Sequence, residues 1–564
     1  MNAPVALAVI LLVFVFAYRF YAKFLASGVF GLDTINNGIA PSDATNADNN
    51  RIAPVVAVLS QHVALIATAL TVSTVAVAVV WGWVPAFLWI VIGTTIAGGT
   101  YGFGVMWLSA RHPGQGLGTI MQSYLPAPLW SATLLLALLL LTAFNATLLV
   151  IVARLLVNHA SIVLPFWAEL LLAAGLGAYL RRQPASSPWL VVVATAILVI
   201  GLVLLLGKLP LGFSGAFNLD VAGNTVFSVD AGLGWMVLIL AAAAFLQRIP
   251  VSGFLRPYSL LSAGQFALVL LALLLGMLVL HPPMVAPQFH APASGPGVLP
   301  WLFLTISGGA IAGITLLFAS AFSGPLVRQV RELRIVGYGG ALAEAVIALS
   351  ALLVYTTGLD TSNWNTLYGN WDGLLDPSYL LEIYINGGAY FGGVLGLSAE
   401  TASNFTALAL AAISFISLEA GVRLQMAVLT ETGRRFIAPS PDPKPNRIPW
   451  GVILLIAVAV VTDANGAAPS TWLVFASANA VTACIGLLLI ATALRREGRN
   501  SLAVTGPLAL MLVLTLWSLI AALGYWWHRS AWVPSALELL LLGLGGWISL
   551  ETVRILTLRG DNGA

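Results

Sequence analysis

The chain has 564 residues, 59% hydrophobic and only 8% charged, with a mean hydropathy of +0.96. Soluble globular proteins carry about a quarter charged residues, so that class is excluded. Lys+Arg of 24 against Asp+Glu of 21 leaves a net charge of +3, which also excludes a disordered or nucleic-acid-binding chain. The single cysteine, Cys484, rules out a disulfide framework and any cysteine-built zinc or iron–sulfur site within one chain. With 54 Gly and 29 Pro spread among apolar runs, the composition is that of an all-α polytopic membrane protein.

A bilayer-spanning helix needs ~20 mostly apolar residues. Taken in chain order, about 15 stretches qualify: 4–26, 54–80, 83–109, 127–156, 161–180, 188–207, 232–248, 259–280, 299–323, 335–356, 399–432, 448–463, 468–494, 503–527 and 531–556. The first lacks a basic flank before its apolar part and is followed by Arg19 and Lys23, so it reads as a span rather than a cleaved signal. With the N-terminus outside, every basic residue except Arg154, Lys208, Arg529 and the intramembrane Arg423 falls on the cytoplasmic side. The positive-inside rule therefore predicts N-terminus out and C-terminus in. Segment 378–397 would spoil that asymmetry as a further span. Its Gly387, Gly388, Gly392, Gly393 and Gly396 suit a re-entrant or broken helix, and an amphipathic surface helix is the alternative.

The remaining loops carry little chemistry. Loop 357–377 holds Asp360, Asp372 and Asp376 with Trp364 and Trp371 and no base; loop 281–298 has His281 and His290 but no carboxylate, which argues against a metal there. Loop 28–51 is Asn/Asp-rich and reads as solvated. No phosphate-binding glycine loop occurs, so residues 1–564 read as one integral membrane domain without a soluble module.

Ionisable groups at membrane depth are expensive and are functional candidates by default. Glu169, Glu344, Glu419, Arg423 and Glu538 lie within spans, Glu400 begins one, and His62, Asn145, Gln265, Asn404, Gln425 and Asn479 add neutral polarity. Glu419 and Arg423 stand at i and i+4 with the acid first, the favourable order for an ion pair; a structural pair is the plainer reading. Glu344 sits in GYGGALAEAVIAL, where small residues allow close helix packing. It is either a proton shuttle or a hydrogen-bonding link to a neighbouring helix. His62 is either a structural histidine or part of a proton relay. No metal set, haem ligand pair or nucleophile–base arrangement appears, so no cofactor and no enzymatic activity are expected.

Several segments carry a family resemblance: YRFYAKFLASGVFGLD from Tyr18, VPAFLWIVIG from Val84, the run from Ala97 through MWLSARHPGQGLG, WLFLTISGGAIAG from Trp301, VGYGGALAEAVIAL, and ISLEAGVR from Ile416. In this order, from about residue 18 to residue 485, the chain resembles the carbon starvation protein family. The resemblance implies a bacterial inner-membrane transporter linked to peptide and pyruvate uptake, built like the amino acid–polyamine–cation superfamily with inverted repeats and broken helices. The departures are specific. The family's Gly-Pro-rich break reads Leu70, Thr71, Val72, Ser73, Thr74, Val75, so a continuous helix is expected over residues 66–78. The family's Gln-Asp becomes Tyr101 and Gly102, its Ser-Gly-Thr turn becomes Ser320, Ala321 and Phe322, and an intramembrane glutamate becomes Leu410. Its Ser-Asn-Gln becomes Ala478, Asn479, Ala480. Glu344, Glu419 (for Asp), Arg423, Asn479 and His62 survive.

Two functions follow from this balance. One is a secondary transporter of a small organic solute, a peptide or pyruvate-like carboxylate, with proton coupling as its candidate drive. Ser73, Thr74 and Asn479 would line its site, and Glu344, Glu419, Arg423 and His62 would serve as proton-coupling or structural charges. The other is a non-transporting membrane subunit that kept the fold and lost the site. Expected partners are the solute, protons and the bilayer, with a protein partner or a homo-oligomer left open.

Overall fold

The computed structural model describes residues 3–32, 55–112, 115, 117–182, 188–209, 217–221, 224–292, 295–309, 313–327, 329–436, 452, 456 and 468–557. In chain order its helices are α1 (Ala3–Val29), α2 (Val55–Ile66), α3 (Ala69–Trp81), α4 (Trp83–Arg111), α5 (Leu117–Tyr124), α6 (Ala127–Asn158), α7 (Val163–Arg182) and α8 (Pro188–Leu206). There follow α9 (Ala231–Leu246), α10 (Leu255–Leu280), α11 (Val298–Gly309), α12 (Gly313–Ser323), α13 (Arg331–Thr357), α14 (Thr361–Tyr368) and α15 (Pro377–Val394). The last four are α16 (Ala399–Phe436), α17 (Ala468–Arg496), α18 (Leu502–His528) and α19 (Trp532–Thr557).

Every stretch read as a span carries helix except 448–463, which lies outside the described residues apart from Val452 and Ile456. Ten helices among the described residues are long and apolar enough to cross a bilayer, or eleven if α2 and α3 count as one bent span. Other stretches read as spans hold shorter described helices, such as α9 and α11. Segment 378–397 forms the continuous helix α15, whose buried Gly387, Gly388 and Gly392 lie against Val354, Thr406 and Ala402. Small residues there let helix backbones approach closely. The loop between α8 and α9 holds an antiparallel hairpin, β1 (Phe217–Val221) with β2 (Asn224–Val229), which the search for long apolar runs passed over. In β1 apolar Phe217, Leu219 and Val221 alternate with polar Asn218 and Asp220, the period of a strand.

Burial sorts the helices by layer. On α1, Ala3, Ala6, Leu7, Ile10 and Phe14 are buried at helical spacing while Leu12, Val15, Phe16 and Phe20 are exposed, so one face meets protein and the other lipid. By contrast α16 and α17 are buried around nearly their whole described circumference and form the bundle's centre. Pro126 and Pro128 start α6, where the missing amide costs nothing, and 32 apolar-rich residues then run without a break.

The expectation of an unbroken helix over residues 66–78 is overturned. The span turns by 52° between Ile66 and Ala69. No Gly or Pro is present; the break is made by Thr68, which leaves helical geometry and restarts the chain as α3.

At the far end of α3 the backbone is clamped. Gly82 has φ +94°, and a Cβ there would come within 2.5 Å of the Gln288 carbonyl oxygen, so this turn admits glycine alone without strain. Trp83 N–H donates to Pro287 O (3.1 Å), Val84 N–H to Gln288 O (3.2 Å) and His290 N–H to Trp81 O (3.0 Å). The His290 ring Nδ1 lies 2.7 Å from Val80 O, so this histidine closes the end of α3. Beside it Trp81, Trp371, Trp301 and Tyr525 form an aromatic cluster, with successive ring centroids 5.7, 5.9 and 5.2 Å apart. Trp81 Nε1 donates to Pro296 O at 3.0 Å.

Candidate functional site

The break in the second span is held by a pair of threonines. Ala67 N–H donates to Val63 O at 2.9 Å and closes α2, while Thr68 takes φ −116° and ψ 172°. Thr68 Oγ1 accepts Leu70 N–H at 3.1 Å, and Thr68 N–H donates to Thr71 Oγ1 at 3.3 Å. These bonds satisfy amides that a helix start would otherwise leave bare in hydrocarbon. On the other side of the break, Ser417 Oγ donates to Ala64 O at 3.0 Å.

The two halves of this span pack on α11 and α12 in pairs, α3 on α11 and α2 on α12. Helices α13 and α16 each touch both α2 and α3, and α17 touches both α11 and α12.

Most of the residues expected from sequence converge here. Glu344 on α13 is fully buried; the Thr71 hydroxyl faces its carboxyl group, yet neither oxygen makes a hydrogen bond of normal geometry. The His62 ring lies against Gly340, where a Cβ would come within 2.7 Å of it; the Ala319 backbone faces the ring, yet neither ring nitrogen makes a hydrogen bond of normal geometry. Gly340 and Glu344 are one turn apart on one face of α13, so His62 and Glu344 flank the same stretch about 6 Å apart along the axis. Gln61, next to His62, is fully buried with its amide also unpartnered. Asn479 on α17 donates from Nδ2 to Ser307 O at 2.9 Å, at the end of α11. Ser73 and Thr74 are buried on α3, but their hydroxyls donate back to Ala69 O (3.1 Å) and Thr71 O (3.4 Å).

Glu419 and Arg423 belong to a different place. Arg423 Nε donates to Glu419 Oε1 at 2.7 Å, and Nη2 donates to Leu246 O (2.9 Å) and Ile249 O (3.0 Å). Gln247 Nε2 adds a bond to Glu419 O at 3.3 Å. The pair thus caps the carbonyl end of α9, as a structural ion pair would. Other buried polar groups also link helices: Asn145 donates to Gln425 (2.8 Å), Gln425 to Thr142 (2.6 Å) and Ser477 to Glu538 (2.9 Å).

Sequence reasoning missed Thr68, Thr71, Ser417 and Tyr101. Thr-x-x-Thr is a capping pattern when it follows a helix end, and that was the available signal for the first two. Tyr101 donates from its hydroxyl to Gly313 O at 2.5 Å, holding a backbone acceptor at the start of α12. A cavity of about 20 Å³ beside Leu65, Ala319, Phe322, Ser417, Ala420 and Leu424 has room for roughly one water. Among the described residues no three of His, Cys, Asp and Glu gather as a metal set.

A polytopic helical bundle packed around a broken span is a class that includes many secondary transporters. Within that class, this chain belongs to the carbon starvation protein CstA family, whose model matches residues 2–369 and 388–518. It is 28% identical over 312 residues to the peptide transporter CstA of Mycobacterium tuberculosis (strain CDC 1551 / Oshkosh), covering 52% of this chain and 39% of that protein. It is 27% identical over 351 residues to the pyruvate/proton symporter BtsT of Escherichia coli (strain K12), covering 60% and 47%. With the peptide transporter CstA of Campylobacter jejuni it shares 26% identity over 350 residues, covering 60% and 48%. The chain spans about half the length of the curated relatives it matches. Among solved structures it is similar to a manganese transporter of Eremococcus coleocola, with a TM-score of 0.40 at 14% identity over 91% of this chain and 99% of the other.

Proposed function

We propose that this chain is a secondary active transporter of a small organic solute, a peptide or pyruvate-like carboxylate, driven by protons and seated in the bacterial inner membrane. The whole chain acts as one integral membrane unit with its N-terminus outside and its C-terminus cytoplasmic, and it catalyses no chemical conversion. The observation that carries this reading is the packing of the broken span α2–α3 on α12 and α11 beside the unpaired carboxyl group of Glu344. The amide end of α3 lies at the break, where a helix N-terminus favours an anionic group. Glu344 would take up and release the coupling proton, with His62 one turn away as relay. Asn479, Ser73 and Thr74 would exchange their present backbone partners for solute when the site opens.

Proteoliposomes test the proposal. An inward proton gradient is expected to drive accumulation of labelled pyruvate or dialanine, and Glu344→Gln is expected to abolish gradient-driven accumulation while leaving solute exchange. Uptake of both solutes equal to that of empty vesicles overturns the reading.

A second reading, a membrane subunit that kept the fold and lost the site, is favoured by Tyr101 and Asn479. Their side chains occupy the Gly313 and Ser307 carbonyls, which a solute would otherwise find free. Stoichiometric co-purification with a partner in mild detergent, together with absent solute binding, would decide for it.

A further inference from the structure

A groove of about 780 Å³ runs along the protein surface between α1 and α13. One end is basic: Arg19, Lys23 and Arg334 line it, and the Arg334 guanidinium lies 5.0 Å from the centre of the Tyr18 ring. None of the three has a carboxylate within ion-pair distance among the described residues, although partners are recorded for Arg111, Arg154, Arg423, Arg499 and Arg529. Glu332, two residues before Arg334, turns its carboxylate to the Gln329 amide at 3.3 Å. The rest of the groove is apolar, lined by Leu11, Phe14, Val15, Leu342, Ala343 and Val346.

From Leu11 to Lys23 the groove follows α1 for about 18 Å, close to the ~15 Å depth of one leaflet's hydrocarbon. A cationic head and an apolar trough one leaflet deep have the outline of a single phospholipid. Among the described residues no carboxylate offers these cations a counter-charge. Basic pockets between spanning helices recognise anionic head groups by this combination. We infer that the groove between α1 and α13 is a binding site for an anionic phospholipid, with the phosphate against Arg19, Lys23 and Arg334 and an acyl chain along Phe14, Val15 and Val346. A zwitterionic lipid would present an ammonium group for which no acidic group lines the groove.

The test uses the full chain in neutral detergent, delipidated and then offered equal amounts of phosphatidylglycerol and phosphatidylcholine with identical acyl chains, with bound lipid counted by native mass spectrometry. Phosphatidylglycerol is expected to be retained over phosphatidylcholine by about tenfold or more. The triple variant Arg19→Gln, Lys23→Gln, Arg334→Gln is expected to lose that preference, and Arg529→Gln at the opposite end of the bundle to keep it. Ala343→Trp, which fills the trough and leaves the cations intact, is expected to lose retention as well; it keeps the test decisive should the triple variant fail to fold. Equal retention of the two lipids, or an unchanged preference in both groove variants, overturns the inference. Displacement of phosphatidylglycerol by millimolar inorganic phosphate would also overturn it, because the site would then be one for a free anion.

Discussion

Arg423 illustrates how a charge deep in a bundle is held. Its guanidinium serves one carboxylate and two backbone carbonyls, those of Leu246 and Ile249, with Glu419 fully buried beneath it. Removing the arginine would leave a buried acid without its counter-charge and two carbonyls without a donor. Breaking such a pair typically costs about 3–5 kcal/mol. Arg423→Ala is therefore expected to lower the thermal midpoint in detergent sharply. Arg423→Lys, which keeps charge but not the planar fork, should lower it less. Midpoints unchanged for both variants would show that the pair does not secure α9. Glu344 is the opposite case, a buried carboxyl group with no cation on it. An isolated charge at that depth costs at least a few kcal/mol, so any ionised state of Glu344 must come with altered surroundings, as the proposed transport cycle requires. The i, i+4 spacing of Glu419 and Arg423 was readable in the sequence because helical geometry fixes it. Which of the buried acids lacks a partner was not, because partners come from helices hundreds of residues away.

The bend between α2 and α3 shows how an element can be interrupted without the usual breakers. Thr68 supplies an oxygen to Leu70 N–H and receives one from Thr71, so the restart of the helix is satisfied from within four residues. Thr68→Val keeps the side-chain shape and removes the acceptor, at an expected cost of about 1 kcal/mol, whereas Thr68→Gly should cost only a few tenths. Hydrogen exchange at the Leu70 and Thr71 amides is expected to quicken in Thr68→Val. Exchange and stability indistinguishable from the unaltered chain would mean that the cap does not maintain the bend. The sequence reading relied on Gly and Pro as markers and so expected a straight helix. Thr-x-x-Thr inside an apolar run is ambiguous locally, since threonine can equally bond back to its own helix, as Ser73 and Thr74 do. Tertiary contacts with α12, α13 and α16 decide between the two outcomes.

Across the whole molecule, hydropathy located the apolar helices well because the bilayer demands long stretches of self-satisfied backbone. It did not reveal which were straight. A break such as that between α2 and α3 leaves average hydropathy almost unchanged. The pairing of α2 with α12 and of α3 with α11 is a property of topology and has no local signature. The aromatic cluster follows from that topology. Trp81 ends α3 and Trp301 lies near the start of α11, and both touch Trp371, so indole rings tie the broken span to α11. A swing that parts these helices must wet rings that are now dry, which would redden and dim their emission. The protein therefore carries a built-in optical gauge: solute added to reconstituted protein should shift tryptophan fluorescence, and Trp371→Phe should blunt that shift. Turnover with a constant spectrum would mean that this end of the bundle stays shut while cargo moves.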